Sequence, residues 1–191
     1  HTSAKMICED VGISPGNLTF WFPTKADVLL EFTKKIMSYH TKFIEYKKNR
    51  GTEDLFTYCL EIVVQIVLCE EKENIRDIYY SMYSEPLTLA YLKDWTAEKN
   101  FNILGSYLPE WDLKRFRRAA NVTCCIERSA LAEPCTEDYT LEDKIYLTLT
   151  CLLKIYDFEK KERERVIKEI LATDYHRIKA DMLKQLDEFL K

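Results

Sequence analysis

Ile13-Ser14-Pro15-Gly16-Asn17-Leu18-Thr19-Phe20-Trp21-Phe22-Pro23-Thr24-Lys25 is the stretch that decides the fold. Ser14 is a strong N-cap type, because its hydroxyl accepts from an otherwise orphaned amide of the first helical turn. Pro15 follows at the first helical position, where a missing N–H costs nothing and the fixed φ suits a helix. Gly16 lets whatever faces the helix start approach the backbone closely. Pro23 stops the run. The result is a helix of about two turns, too short to be stable alone, with a polar front edge made by Asn17 and Thr19.

The preceding residues give that helix its context. Ser3 to Val11 predicts another short helix, capped by Ser3, with Met6, Ile7 and Val11 on one apolar side. Gly12 ends it where a left-handed glycine is favoured. Helix, glycine joint and helix make the helix-turn-helix pattern, whose second helix enters the DNA major groove.

The spacing Ser3-x-x-x-Ile7-x-x-x-Val11-Gly12-Ile13-Ser14-x-Gly16-x-Leu18-x-x-x-Phe22-x-x-Lys25 resembles the N-terminal domain of the TetR (tetracycline repressor-like) family of bacterial regulators. The resemblance spans about the first thirty residues and rests on several fixed offsets rather than one short motif. It implies an all-α protein: a helix-turn-helix DNA-binding head over residues 1–45 and a helical-bundle effector-binding and dimerisation body over 46–191. It also implies a first helix upstream of His1, absent from the chain shown. Two positions depart from the family: Thr19 stands where a tyrosine is usual, and Trp21 where histidine or tyrosine is common. Both typically face DNA, so the operator preference is expected to be unusual.

Composition agrees with a helical protein. Apolar residues make up 47% of the 191, enough for a good core, and only four glycines and five prolines interrupt the periodic runs. No signal peptide opens the chain, and no apolar run is long enough to span a membrane. A cytoplasmic, bacterial location is expected, with no membrane partner. The net charge is −4, but residues 1–50 carry +3 and residues 51–191 carry −7. A basic head on an acidic body suits phosphate neutralisation by the head. The seven cysteines are odd in number and scattered, which reads as reduced. Without a C-x-x-C pair, and with His1, His40 and His176 far apart, no metal site and no cofactor are expected. Cys124 and Cys125 are adjacent, a possible redox pair, but neighbours on a helix point apart.

Further along, Thr24 caps a long helix with Asp27 in its first turn. Leu29, Phe32, Ile36, Tyr39 and Phe43 form its apolar stripe, and Lys47 to Gly51 close it. A second helix starts at Thr52 or Glu53 and carries a wide apolar face from Leu55 to Val67. Glu70 to Glu73 is expected to be a solvated loop or helix end. Ile75 to Tyr83 predicts a tyrosine-rich helix, Leu87 to Leu108 a longer one, and Asp112 caps another that runs to Ala132. Glu137 to Asp143 reads as an acidic turn. Ile145 to Tyr156 is apolar nearly all round, so it needs cover on two sides. In the family such cover comes from a homodimer four-helix bundle, here matching residues 112–132 and 141–157; a central helix of a monomeric bundle is the other option. Phe158 to Glu164 is expected to be solvated. Val166, Ile167, Ile170 and Leu171, then Ile178, Met182, Leu186 and Phe189, form two more amphipathic pieces.

The DNA-contact candidates are Ser3, Lys5, Ser14, Pro15, Gly16, Asn17, Thr19, Phe20, Trp21 and Lys25. Asn17 can read a base edge, adenine by geometry. Thr19 can offer a hydroxyl or a methyl, while Lys25 and the capped helix starts suit phosphates. Phe20 and Trp21 fit either the small core beside Leu18 and Phe22 or the DNA face. For a small-molecule effector, Tyr58, Tyr79, Tyr83, Tyr91, Trp95 and Phe101 offer aromatic walls, and Asn121, Thr123 and Glu127 are polar anchors in an apolar helix; these aromatics also fit plain core. No nucleophile elbow, phosphate loop or paired histidines appear, so no enzyme is expected. The implied function is ligand-responsive regulation, most often repression at a near-palindromic duplex DNA operator relieved by a small molecule. The rival is an all-helical carrier or sensor that has lost DNA binding.

Overall fold

The computed structural model describes residues 3–175 together with 177, 178, 180 and 183. Among them the fold is all-α: α1 (Ala4–Val11), α2 (Pro15–Trp21), α3 (Lys25–Lys48), α4 (Asp54–Glu71), α5 (Glu73–Ser84), α6 (Pro86–Leu104), α7 (Leu113–Ala132), α8 (Leu141–Ile155) and α9 (Lys160–Leu171). The starts follow from side-chain caps. Ser3 accepts from the Met6 amide, Ser14 from that of Asn17 and Asp112 from that of Arg115. Thr24 and Asp27 form a reciprocal capping box at the start of α3. Gly12 takes φ 71° and Gly51 φ 75°, the left-handed conformation that ends a helix without a Cβ penalty.

The body is built around α4. Residues 57–69 of this helix are all buried, because α3, α5, α6, α7, α8 and α9 pack around it. A helix enclosed on every side must be apolar all round, and α4 nearly is, with Thr57, Glu61 and Gln65 as buried exceptions. The sequence pattern likewise made the Leu55–Val67 helix deeply buried, and it expected cover on two sides of Ile145–Tyr156, from a partner chain or within a monomeric bundle. In α8 the inner face of Ile145, Leu149, Leu152 and Leu153 is buried, but Tyr146, Leu147 and Cys151 face outward.

Other expectations are refined. The helix expected to reach Leu108 ends at Leu104, with Gly105 as its C-cap. The acidic turn conceals the start of α8, since Thr140 and Asp143 form a second capping box. Glu70 is not simply solvated. Lys144 Nζ, itself buried, lies 2.7 Å from its Oε1, and the Cys135 amide donates to both carboxylate oxygens at 3.0 Å. The segment expected to be solvated after residue 157 holds a buried Phe158, and its charges lie on the start of α9. There Arg165 bridges Glu53, Glu162 and Glu169. Ile178 packs against the core; Met182, Leu186 and Phe189 lie outside the described residues. The 45/46 boundary falls inside α3, whose Ile36, Met37, Tyr39, Phe43 and Ile44 already belong to the body core.

Candidate functional site

Two regions collect the functional candidates. In the head, α1 and α2 pack on each other around the buried Cys8 and Leu18. The expected apolar side of α1 is only partly covered: Ile7 is half-buried, while Met6 and Val11 are exposed. Asn17, Thr19, Phe20 and Trp21 all face solvent, with Phe20 76% and Trp21 70% exposed. Neither aromatic joins the small core, and the two rings meet edge to face at 5.2 Å. The Thr19 hydroxyl is already engaged, donating to Pro15 O at 3.0 Å. That leaves its methyl and the acceptor side of the hydroxyl as free contact surface. Pro15 and Gly16 are exposed at the front of α2, Lys25 is exposed at the start of α3, and Ser14 spends its hydroxyl on the cap. On α1, Lys5 lies 3.8 Å from Glu9 with both side chains exposed, and Ser3 caps.

In the body, a polar cluster lies where α3, α4, α5, α6 and α7 meet. Glu61 is its hub. Lys99 Nζ is 2.8 Å from Oε2, Gln65 Nε2 donates to Oε1 at 2.7 Å, and His40 Nδ1 is 3.0 Å from Oε1. His40 Nε2 lies 2.9 Å from the Tyr79 hydroxyl. The Nδ1 contact lacks hydrogen-bond geometry, so the imidazole meets Glu61 at ion-pair distance and Tyr79 through Nε2. The Lys99 ammonium sits 4.7 Å from the Trp95 ring centroid and 5.8 Å from that of Tyr58, a cation–π arrangement. Burial opposes ionisation of Glu61, but Lys99 and His40 overcome it and hold the carboxyl at about 2. Burial pulls Lys99 down, and Glu61 more than offsets that, so its ammonium is held above the ordinary range.

Glu127 stands one helix away on α7. Tyr83 donates to its Oε2 at 2.9 Å, and Oε1 has no hydrogen-bond partner. Burial, reinforced by the charge of Glu61, pushes its carboxyl up to about 6 despite Lys99 and Tyr83. Asn100 Nδ2 donates to the Tyr156 hydroxyl at 2.7 Å, and the Tyr58 and Tyr156 rings meet edge to face at 6.0 Å. Tyr58 OH, Asn100 Oδ1 and Thr123 Oγ1 are buried without partners. A cleft of ≈ 410 Å³ lined by Trp95, Lys99, Thr41, Ile44, Glu98 and Asn102 opens from the cluster between α3 and α6.

Of the effector candidates, Tyr58, Tyr79, Tyr83, Trp95, Thr123 and Glu127 come together here. Tyr91 lies apart, beside Glu31 and Lys34. Phe101 is 40% exposed and packs on Phe116, and the exposed Asn121 donates to Arg117 O. Sequence reasoning missed His40, Glu61, Gln65 and Lys99. The signal was present in Glu61 and Gln65, four residues apart inside an apolar helix, and in His40 on the apolar stripe of α3.

Among the described residues no cluster of metal-ligating side chains occurs, and no helix is long and apolar enough to cross a membrane. All seven cysteines are free; Cys124 is buried and Cys125 exposed, so the adjacent pair does point apart. No family model, curated protein or solved structure matches the chain.

Proposed function

We propose that the chain is a ligand-responsive DNA-binding transcriptional regulator of TetR type, a repressor released from its operator when a small molecule binds the body. One observation carries the reading: a capped, glycine-started α2, joined to α1 through the left-handed Gly12, turns Asn17, Thr19, Phe20 and Trp21 all to solvent. Exposed aromatics on a two-turn helix are costly unless something covers them, and a major groove accepts a helix presenting such an edge.

The body supplies the responsive part. Its helix α3 begins at Lys25 beside α2 and delivers His40 to the Glu61 cluster, so one rigid element joins the DNA face to the buried charges. A ligand that rearranges the cluster moves α3 and with it the head. It releases DNA only through its differential affinity for the two arrangements. A homodimer is part of the reading. Val122 and Cys125 on α7 and Tyr146, Leu147 and Cys151 on α8 are exposed, Val122 51% and Leu147 50%, and offer apolar surface for it. Two copies joined there in a four-helix bundle would hold their α2 helices ~34 Å apart, one turn of duplex.

The test is selection of bound genomic fragments by the full-length protein at two salt concentrations. A recovered near-palindrome, bound more weakly at the higher salt, supports the regulator. Recovery of nothing above background by a folded dimer overturns it. The carrier or sensor reading then takes its place, favoured by one observation: the polar cluster lies wholly within the body and needs no head.

A further inference from the structure

The cluster serves its two carboxylates unequally. It encloses two carboxylates, Glu61 and Glu127, against the single ammonium of Lys99. Glu61 takes the available partners: Lys99, Gln65 and His40. Glu127, only 6% exposed, keeps Tyr83 on one oxygen and nothing on the other. A buried carboxylate oxygen with no donor carries the full cost of its lost hydration. An anion placed there adds to the repulsion, and a neutral acceptor offers no proton. A cationic donor supplies the missing hydrogen bond and pairs with the carboxylate charge. The surroundings agree: Tyr58 and Tyr83 stand beside Glu127, and ring faces attract cations. The unpaired Tyr58 and Thr123 hydroxyls and Asn100 Oδ1 can accept from further N–H groups.

We propose that the effector carries an ammonium-type cation that binds on Glu127 Oε1 between α4 and α7; this deepens the effector reading above and rests on it. Beside Glu127 a cavity lined by Ile62, Gln65, Ile66, Ala130 and Leu131 measures ≈ 10 Å³, room for a single water. An organic cation therefore has to part α4 from α7 to reach the carboxylate. Parting them disturbs the hub residue Glu61 on α4, and through His40 it disturbs α3. The ligand thus favours a state unlike the closed one described here, the condition for an effector to shift an equilibrium.

Three probes of matched size decide the point: phenethylammonium, phenethyl alcohol and phenylacetate, titrated calorimetrically into the full chain at neutral pH. The amine is expected to bind about tenfold or more tightly than the alcohol, with no binding of the carboxylate. Glu127→Gln keeps an acceptor for Tyr83 and should erase the preference, whereas Tyr83→Phe should retain it. Equal binding of amine and alcohol, or a preference that survives in Glu127→Gln, overturns the proposal. So does no amine binding while the Glu127 carbon resonance still titrates, since a proton alone then serves the site. Operator release by a neutral or anionic compound would sink this inference and leave the regulator standing. Amine binding lost in Glu127→Gln, with no DNA recovered, would do the reverse.

Discussion

Replacing Lys99 by Met removes the one ammonium of the buried cluster and leaves Glu61 and Glu127 facing each other across the core. The wild-type arrangement holds Glu61 at about 2 against an ordinary 4.5. At 1.36 kcal/mol per pH unit, that difference corresponds to about 3 kcal/mol of folded-state stabilisation. It is fully present above the unfolded value and is lost as pH falls through the folded one. In Lys99→Met the main lowering influence is gone and burial remains, so the Glu61 carboxyl should rise above its unfolded value. The sign then inverts, and the variant should gain stability as pH drops from neutrality toward 5. Stranding a buried charge costs ~3–5 kcal/mol at neutral pH, whereas apolar replacement of both partners is often close to neutral. The double variant Glu61→Gln/Lys99→Met should therefore recover most of the loss. Urea unfolding across pH measures the wild type, both single variants and the double, and in a thermal scan Lys99→Met should melt about 10 °C lower. A single-variant cost under about 1 kcal/mol with an unchanged pH slope would refute the reasoning. So would a double variant as weak as the sum of its parts.

Other expectations follow from the same geometry. Burial raises Glu127 to about 6 from 4.5, so it detracts from stability above pH 6 and not below the unfolded value; Glu127→Gln should gain about 2 kcal/mol over the wild type at neutral pH, a difference that vanishes below about pH 4 in paired urea titrations. Leu147→Glu places a charge on the exposed apolar surface of α7 and α8 and should yield a folded monomer by analytical ultracentrifugation; a persisting dimer would move the interface elsewhere. Gly12→Ala meets no neighbouring atom but must hold φ 71°, at a cost of ~1–2 kcal/mol. Its effect should be local, as faster amide exchange in α1 and α2 while the body's global unfolding is unchanged. Asn17→Ala should flatten sequence preference in fragment selection, by ~1–3 kcal/mol at the contacted base, whereas Lys25→Ala should weaken all sites alike and reduce the salt slope by about one.

Much of the helical layout was legible because its punctuation is local. Ser3, Ser14, Thr24 and Asp112 bond amides three residues ahead, so their role is written within a four-residue window. Gly12 and the Lys47–Gly51 ending are likewise local. Thr140-x-x-Asp143 carries the same window, and the surrounding acidity of Glu137 and Asp138 hid it. Enclosure is not local. Both 55–69 and 145–156 are apolar over most of their circumference, and only tertiary packing decides which one the other helices surround. The chain places α4 at the centre although it carries Glu61 and Gln65, while α8, with no charge between Ile145 and Leu153, keeps Tyr146 and Leu147 outside.

The same division explains the polar cluster. A lone His40, Glu61 or Lys99 in an amphipathic run is most simply placed at a polar edge, since none can be buried without a partner. Their partners lie 21 and 38 residues apart in sequence, so each looks unsatisfiable until the helices are assembled. Glu127 was legible because its own helix contradicts it, a carboxylate four residues from Thr123 on an apolar face. Burial of such a group without a full complement of donors is tolerated at a cost that better-packed apolar residues would avoid. Oε1 shares the core with other buried polar atoms that lack partners, those of Tyr58, Asn100 and Thr123 among them. A ligand that supplied the missing donor would offset that cost, and the amine titration reads whether one does.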